Sequence, residues 1–198
     1  MMLKNVLIFV LAVFIPLAPL PAFAGDAGKN PSARIDEAAV SRAPGEGGNT
    51  PLRISFLVKD AFTKEIEEAV RSGIPTAFTF IVKLSRVREY WSNEEMGVWR
   101  FKHTVRYDSL KDEYEIRRDE TGAQAIRTKD IGDMKTIMTV CPGVVLASAA
   151  PLDKGQNYEI RIMAELRAVE LPFILNYVLF FVKFWDVDSG WYTYKFSP

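Results

Sequence analysis

The stretch whose residue types are best suited to chemistry lies near the C-terminus and reads FWDVDSGWYTYKF, from Phe184 to Phe196. Asp186 and Asp188 stand two residues apart and Gly190 follows, which is how a calcium-binding loop of the EF-hand kind begins. Such a loop also needs an acid or amide at position five and a bidentate glutamate at position twelve, where this chain has Gly190 and Ser197. Aspartate and serine before a glycine more often hydrogen-bond their own backbone. We therefore interpret this stretch as a turn and predict no metal site.

The candidates for a catalytic base and a nucleophile are a single histidine, His103, and a single cysteine, Cys141. A histidine base needs a nucleophile or an orienting acid within reach, and zinc sites need further histidines or cysteines. His103 falls on the apolar face of an alternating stretch, which predicts a core or sheet-face histidine with one hydrogen bond. Cys141 stands in the apolar context VCPG, which predicts a buried, inert thiol. Nucleotide-binding glycine motifs are missing as well, so we predict no cofactor and no enzymatic activity.

Two acidic stretches complete the set of candidates. Glu94 and Glu95 follow Trp91 closely and could supply half of a carboxylate pair, but such pairs are defined by distance in space. We assign them to a turn. The charge-rich run Lys111–Glu120 reads KDEYEIRRDE and mixes both signs, which is typical of a solvated hairpin.

The N-terminus predicts export. Lys4 precedes the apolar run Val6–Ile15, and the segment closes with Ala22-Phe23-Ala24, so residues 1–24 have the pattern of a cleavable signal peptide. Three prolines in this segment argue against a spanning helix, because each removes a backbone donor: Pro16, Pro19 and Pro21. We expect a periplasmic protein with no membrane span after signal cleavage.

Behind the signal peptide the composition divides the chain in two. Residues 25–50 are rich in glycine and alanine with few large apolar residues, which predicts a disordered tether. Residues 51–198 are dense in apolar and aromatic residues, which predicts a single β-rich domain. Without Lys4 the charge is 24 − 25 = −1, so we expect no nucleic-acid partner.

Alternation of apolar and polar residues is the main structural signal in this domain. It predicts strands near Leu52–Lys59, Thr76–Trp91, Trp99–Tyr107 and Tyr158–Ala168. Helices are predicted after Thr63, which can cap one, and over Asp130–Thr139. Short polar turns favour antiparallel hairpins. The predicted fold class is mainly β, an antiparallel β-sandwich-like domain with a few short helices, and α+β is the alternative.

The segment Leu171–Trp185 is open between helix and strand. Pro172 suits a first helical turn, whereas the β-branched and aromatic content from Val178 onward suits a strand. As a helix it would reach about 22 Å, which is short of the roughly 30 Å hydrocarbon core of a membrane. We expect it not to span a membrane.

Three stretches taken together resemble a known family. They are RSGIPTAFTFIVKL at Arg71–Leu84, HTVRYDSLKDEYEI at His103–Ile116, and the stretch Phe184–Phe196. In this order, behind a signal peptide, they resemble the domain of unknown function 4390 family of exported bacterial proteins, over about Leu52 to Phe196. The resemblance implies a Gram-negative source, a periplasmic address and an envelope or membrane partner such as a sensor kinase. It implies no catalytic residue and no cofactor.

The function predicted from the sequence is a non-catalytic periplasmic domain that acts in protein interaction or as a signalling accessory. The predicted interaction surface is aromatic: Trp185, Trp191, Tyr192 and Tyr194. From Trp191 onward alternate side chains should point to opposite sides of the final strand, so that one side fills the core. The alternative is a periplasmic lipid- or small-ligand-binding protein, with Leu171–Trp185 as a lid or interfacial helix.

Overall fold

A computed structural model describes residues 33–42, 51–122, 124–146, 152–168 and 187–198. In these ranges the chain forms antiparallel β-sheets with two short α-helices, which confirms the mainly β prediction. The predicted signal peptide, residues 1–24, and the segment Leu171–Trp185 lie outside the described residues.

The strands and helices follow one another along the chain in an order dominated by strands. They are β1 (Arg34–Arg42), β2 (Leu52–Lys59), α1 (Lys64–Arg71), β3 (Thr76–Arg86), β4 (Glu94–Asp108), β5 (Glu113–Arg118), a short 3-10 helix (Asp119–Thr121), β6 (Ile126–Thr128), α2 (Ile131–Thr139), β7 (Val140–Leu146), β8 (Tyr158–Ala168), β9 (Val187–Asp188) and β10 (Tyr192–Phe196).

The larger sheet is built around β3. Its strand order is β10-β8-β3-β4-β5-β6, with β9 also paired to β8. β3 pairs with β4 on one side and with β8 on the other along its whole length. Because side chains alternate along a strand, one face of β3 carries the buried Phe78, Phe80, Val82 and Leu84.

The smaller sheet has the order β1-β2-β7 and packs against the inner face of the larger one. Aromatic rings make this contact: the ring of Phe56 on β2 lies 5.5 Å from that of Phe80 and 6.5 Å from that of Phe101, between centroids. Edge-to-face packing at such distances is favourable because of the ring quadrupoles. The prediction of a sandwich-like pair of sheets is confirmed.

Both helices begin where capping residues predict. The side chain of Thr63 accepts a hydrogen bond from the backbone N–H of Ile66 at the start of α1. Asp130 does the same for Asp133 at the start of α2, at 2.8 Å. α2 buries the side chain of Met138, and the backbone carbonyl of this residue accepts a hydrogen bond from His103.

The prediction of a disordered tether over residues 25–50 is wrong for Arg34–Arg42, which form β1. This strand pairs antiparallel with β2, with a bulge where Glu37 has a φ of 52°. The side chains of Ala33, just before β1, and of Ile35, within it, are buried in the core. The apolar pattern of this strand is weak, so the sequence alone does not predict it. The strand is ordered by its pairing with the edge of β2.

Ile35→Ala tests whether β1 is docked. We expect the free energy of unfolding to fall by about 2 kcal/mol or more, because the substitution leaves a cavity in the core. Urea unfolding measures this change. The control is Ala39→Ser at an exposed position of the same strand, for which we expect a change within about 0.5 kcal/mol. Equal, negligible effects of both substitutions would contradict the docked strand.

Candidate functional site

The acidic loop before β10 is a turn, as predicted. The Asp188 carboxylate accepts a hydrogen bond from the backbone N–H of Gly190 at 3.1 Å, and Gly190 has a φ of 62°. Ser189 fastens the turn to β8: its N–H donates to the Ala164 carbonyl at 3.0 Å, and its hydroxyl accepts from the Ala164 N–H at 2.9 Å. Asp186 lies outside the described residues. Asp188, the described aspartate of the suggested ligand set, therefore binds the backbone.

The aromatic residues of the final strand divide between two faces, as the alternation predicted. Tyr192, Tyr194 and Phe196 are half-buried, and the ring of Phe196 lies 5.8 Å from that of Tyr158. Trp191 is exposed on the other face. Trp185 lies outside the described residues. Of the predicted interaction surface, Trp191 is therefore the described residue that faces outward, and a partner for these residues stays a prediction.

Trp191 lies among cations on the outer face of the larger sheet. The guanidinium carbon of Arg161 is 4.7 Å from the centroid of its ring, and the ammonium of Lys83 is 5.3 Å from it. Arg161 and Lys83 are directly paired residues of β8 and β3, so their side chains rise from the same face. Both are within cation–π range of the indole, which keeps the ring flat against a positive surface.

A second exposed aromatic feature, which the sequence patterns did not single out, lies at the tip of the β3–β4 hairpin. Tyr90 is 87% exposed and Trp91 is 80% exposed. The assignment of Glu94 and Glu95 to a turn is wrong, because both lie in β4 and pair with β3. The signal available in the sequence is the adjacent pair of aromatics between charged residues.

Ion pairs brace the base of this hairpin. The Glu94 carboxylate lies 2.6 Å from the Arg88 guanidinium and 3.5 Å from that of Arg86. Arg86 also contacts Asp153 at 2.8 Å, and the N–H of Val87 donates to the Asn157 carbonyl at 2.8 Å. Hydrogen bonding to Arg88 lowers the pKa of Glu94, so the carboxylate stays charged.

His103 is fully buried and makes two hydrogen bonds, so the prediction of a single one is wrong. Its Nδ1 lies 2.9 Å from the backbone carbonyl of Met138, and its Nε2 lies 2.7 Å from Oε1 of Glu120. The two ring nitrogens of His103 are therefore both engaged, one with the backbone of α2 and one with the Glu120 side chain. The ring also packs edge-on against Phe80, with centroids 4.7 Å apart.

The same carboxylate oxygen of Glu120 binds Arg118. The Arg118 Nε donates to it at 2.8 Å, and a terminal nitrogen of Arg118 donates to the Val140 carbonyl at 3.3 Å. The prediction that Lys111–Glu120 is a solvated hairpin is therefore wrong for Arg118 and Glu120. The period-two pattern of β5 places Arg118 on the same inner face as the buried Ile116. This alternation is the sequence signal from which the burial of Arg118 could have been predicted.

Two opposing effects set the pKa of Glu120. Burial raises it, but the hydrogen bond and charge of His103, with the hydrogen bond of Arg118, lower it from the ordinary 4.5 to about 2. The charge of Glu120 also affects the pKa of Cys141. Burial raises the pKa of its thiol well above the ordinary range, and the negative charge of Glu120 raises it further. The thiol is therefore protonated and a poor nucleophile.

The buried cluster of His103, Arg118, Glu120 and Cys141 has groups found in catalytic sites, but its geometry holds elements together. Its hydrogen bonds join β4, β5, the 3-10 helix, α2 and β7. His103 and Cys141 are both fully buried, so neither meets solvent in this arrangement. Among the described residues, no group of three or more acidic, histidine or cysteine side chains could hold a metal ion.

Comparison with known proteins gives one match. A family model described as a domain of unknown function, DUF4390, matches residues 35–195. No curated protein and no solved structure matches the chain. Among the described residues, neither helix is long and apolar enough to cross a membrane.

Glu120→Gln tests the buried cluster. At neutral pH we expect the free energy of unfolding to fall by about 3–5 kcal/mol, because the buried guanidinium of Arg118 loses its counter-charge and His103 loses its carboxylate partner. The folded-state pKa of Glu120 is depressed, so its contribution is complete above about pH 4.5 and is lost as the pH falls toward 2. Denaturant unfolding at several pH values should therefore show a shallower acid dependence in the variant. An acid dependence identical to that of the exposed control Glu68→Gln would contradict this account.

The reactivity of Cys141 provides an independent check. We expect Ellman's reagent at mildly alkaline pH to leave the thiol of the folded protein unmodified, because it is buried and protonated. Unfolding in guanidinium should release one reactive thiol per chain. Rapid modification without unfolding would show that the cluster is open to reagents.

Proposed function

The chain belongs to the DUF4390 family of domains of unknown function, and we propose that it is a non-catalytic periplasmic domain that binds a protein partner through its β3–β4 hairpin. The observation that carries this proposal is the exposure of two adjacent aromatic side chains, Tyr90 and Trp91, at the hairpin tip. Tyrosine and tryptophan are the residues enriched in interface hot spots, since each offers a large rigid surface with a polar group.

The bracing of the hairpin favours recognition. Arg86 and Arg88 both contact Glu94, and Arg86 reaches across to Asp153 beside β8. A binding element that is ordered before it meets its partner loses less conformational entropy on association. The aromatic tip is thus presented on a pre-organised support rather than on a free loop.

The positions of the reactive groups support the proposal that the domain is non-catalytic. His103 and Cys141 are enclosed in the core, and Oε1 of Glu120 is bound by both His103 and Arg118. A general base must reach the proton that it removes from a substrate, and these groups are engaged with the protein.

Periplasmic location is supported by the signal-peptide pattern of residues 1–24. The partner in this proposal is an envelope or membrane protein such as a sensor kinase. Binding of a lipid or small ligand beneath Leu171–Trp185 stays a prediction, because that segment lies outside the described residues.

In-cell photo-crosslinking tests the hairpin. A benzoylphenylalanine residue placed at position 90 or 91 of the full chain should give a discrete adduct with one envelope protein. The control position is Leu110, which is 96% exposed in the turn at the other end of β4 and lies far from the tip.

Trp91→Ala should abolish the adduct formed from position 90 without lowering the melting temperature, because the side chain is exposed. Leu110→Ala should leave the adduct unchanged. Equal labelling from positions 90, 91 and 110, or no adduct from the tip, would refute the proposed contact.

A further inference from the structure

We propose that the outer face of the larger sheet binds an acidic, extended segment of a protein partner. We define the basic face by five cations and one aromatic residue on this side of the sheet: Lys83, Arg100, Lys102, Arg161, Lys195 and Trp191. This surface is distinct from the hairpin tip, so the inference goes beyond the contact proposed above.

The register of the strands brings these side chains together. Lys83 of β3 pairs with Arg161 of β8, and Arg161 pairs in turn with Thr193 of β10. Neighbouring strands are about 4.8 Å apart, so the two cations stand side by side. On the other side of β3, Arg100 and Lys102 of β4 pair with residues that have the same orientation as Lys83.

Cations outnumber carboxylates on this face of the sheet. Lys83 reaches the Glu95 carboxylate only at 4.0 Å. Among the described residues, the side chains of Arg100, Lys102, Arg161 and Lys195 make no ion pair. On this face of β3, β4, β8 and β10 the described cations also include Arg106, and the carboxylates are Glu95, Asp108, Glu159 and Glu165, so six cations face four acids. A partner of opposite charge gains from this surplus both in steering and in affinity.

Trp191 gives the basic face an anchor that charge alone would not supply. Its ring is 37% exposed and lies over Arg161 and Lys83. A side chain that packs on the indole would exclude water around the two cations and so strengthen their pairs with incoming carboxylates. Aromatic and arginine residues together are the composition of an interface centre.

The spacing favours an extended peptide. Arg100 and Lys102 are two residues apart on one strand, which places them roughly 6.8 Å apart on one face. An extended acidic segment repeats its own side chains on one face at the same distance.

Fluorescence anisotropy with a labelled peptide of alternating glutamate and threonine tests the inference on the purified protein. We expect saturable binding at low ionic strength that weakens at high ionic strength. Arg161→Glu or Lys83→Glu should weaken binding about tenfold or more, because each reverses a central charge. Lys64→Glu, at an exposed position of α1, makes the same charge change and should leave binding unchanged.

Three outcomes would overturn the inference: no saturable binding, equal binding of a lysine–threonine peptide, or equal loss in Lys64→Glu. A fourth is tighter, Arg161-dependent binding to vesicles of phosphatidylglycerol and phosphatidylcholine, which would assign the face to membranes. Melting temperatures of the variants establish that they remain folded. The crosslinking from positions 90 and 91 is measured separately, so either proposal can fail without the other.

Discussion

One buried carboxylate, that of Glu120, binds side chains from two strands of the larger sheet, and these side chains also contact the backbone at the end of α2 and the start of the smaller sheet's last strand. His103 comes from the middle of β4, and Arg118 comes from the end of β5. Both bind the same oxygen of Glu120, and each also donates to a backbone carbonyl, at Met138 and Val140. These carbonyls end α2 and begin β7 of the smaller sheet, so the cluster links the two sheets. Removing one member of the cluster destabilises the fold, because a buried charge without its partner is strongly unfavourable.

This constraint separates stability from recognition in the molecule. The groups with reactive chemistry are enclosed, whereas the tryptophan side chains at positions 91 and 191 face outward. Trp91 stands at a hairpin tip whose base is braced by ion pairs, and Trp191 lies flat over cations of the sheet. Since the scaffold is held by its core and by long in-register pairing, these surfaces can serve binding without supporting the fold. A protein partner that uses both would contact one end and one face of the same sheet.

Much of the fold follows from local patterns, and the exceptions have physical causes. Alternation predicted β2, β4 and β8 because one face of each strand meets the core, and Thr63 predicted the start of α1 through its capping hydroxyl. β1 was missed because its order comes from a partner strand. The buried position of Glu120 was missed because a carboxylate in a charged run is buried only when a distant histidine and a nearby arginine meet it in space. The exposed tip was missed because aromatic residues usually bury, and sequence does not show which do not.

His103 and Glu120 act as one structural unit. A double-mutant cycle in urea unfolding, with His103→Gln, Glu120→Gln and the double variant, measures their coupling directly. The structure predicts that the double variant is less destabilised than the sum of the single variants, with a coupling free energy of about 1–3 kcal/mol. Additive effects, with a coupling free energy close to zero, would contradict the account.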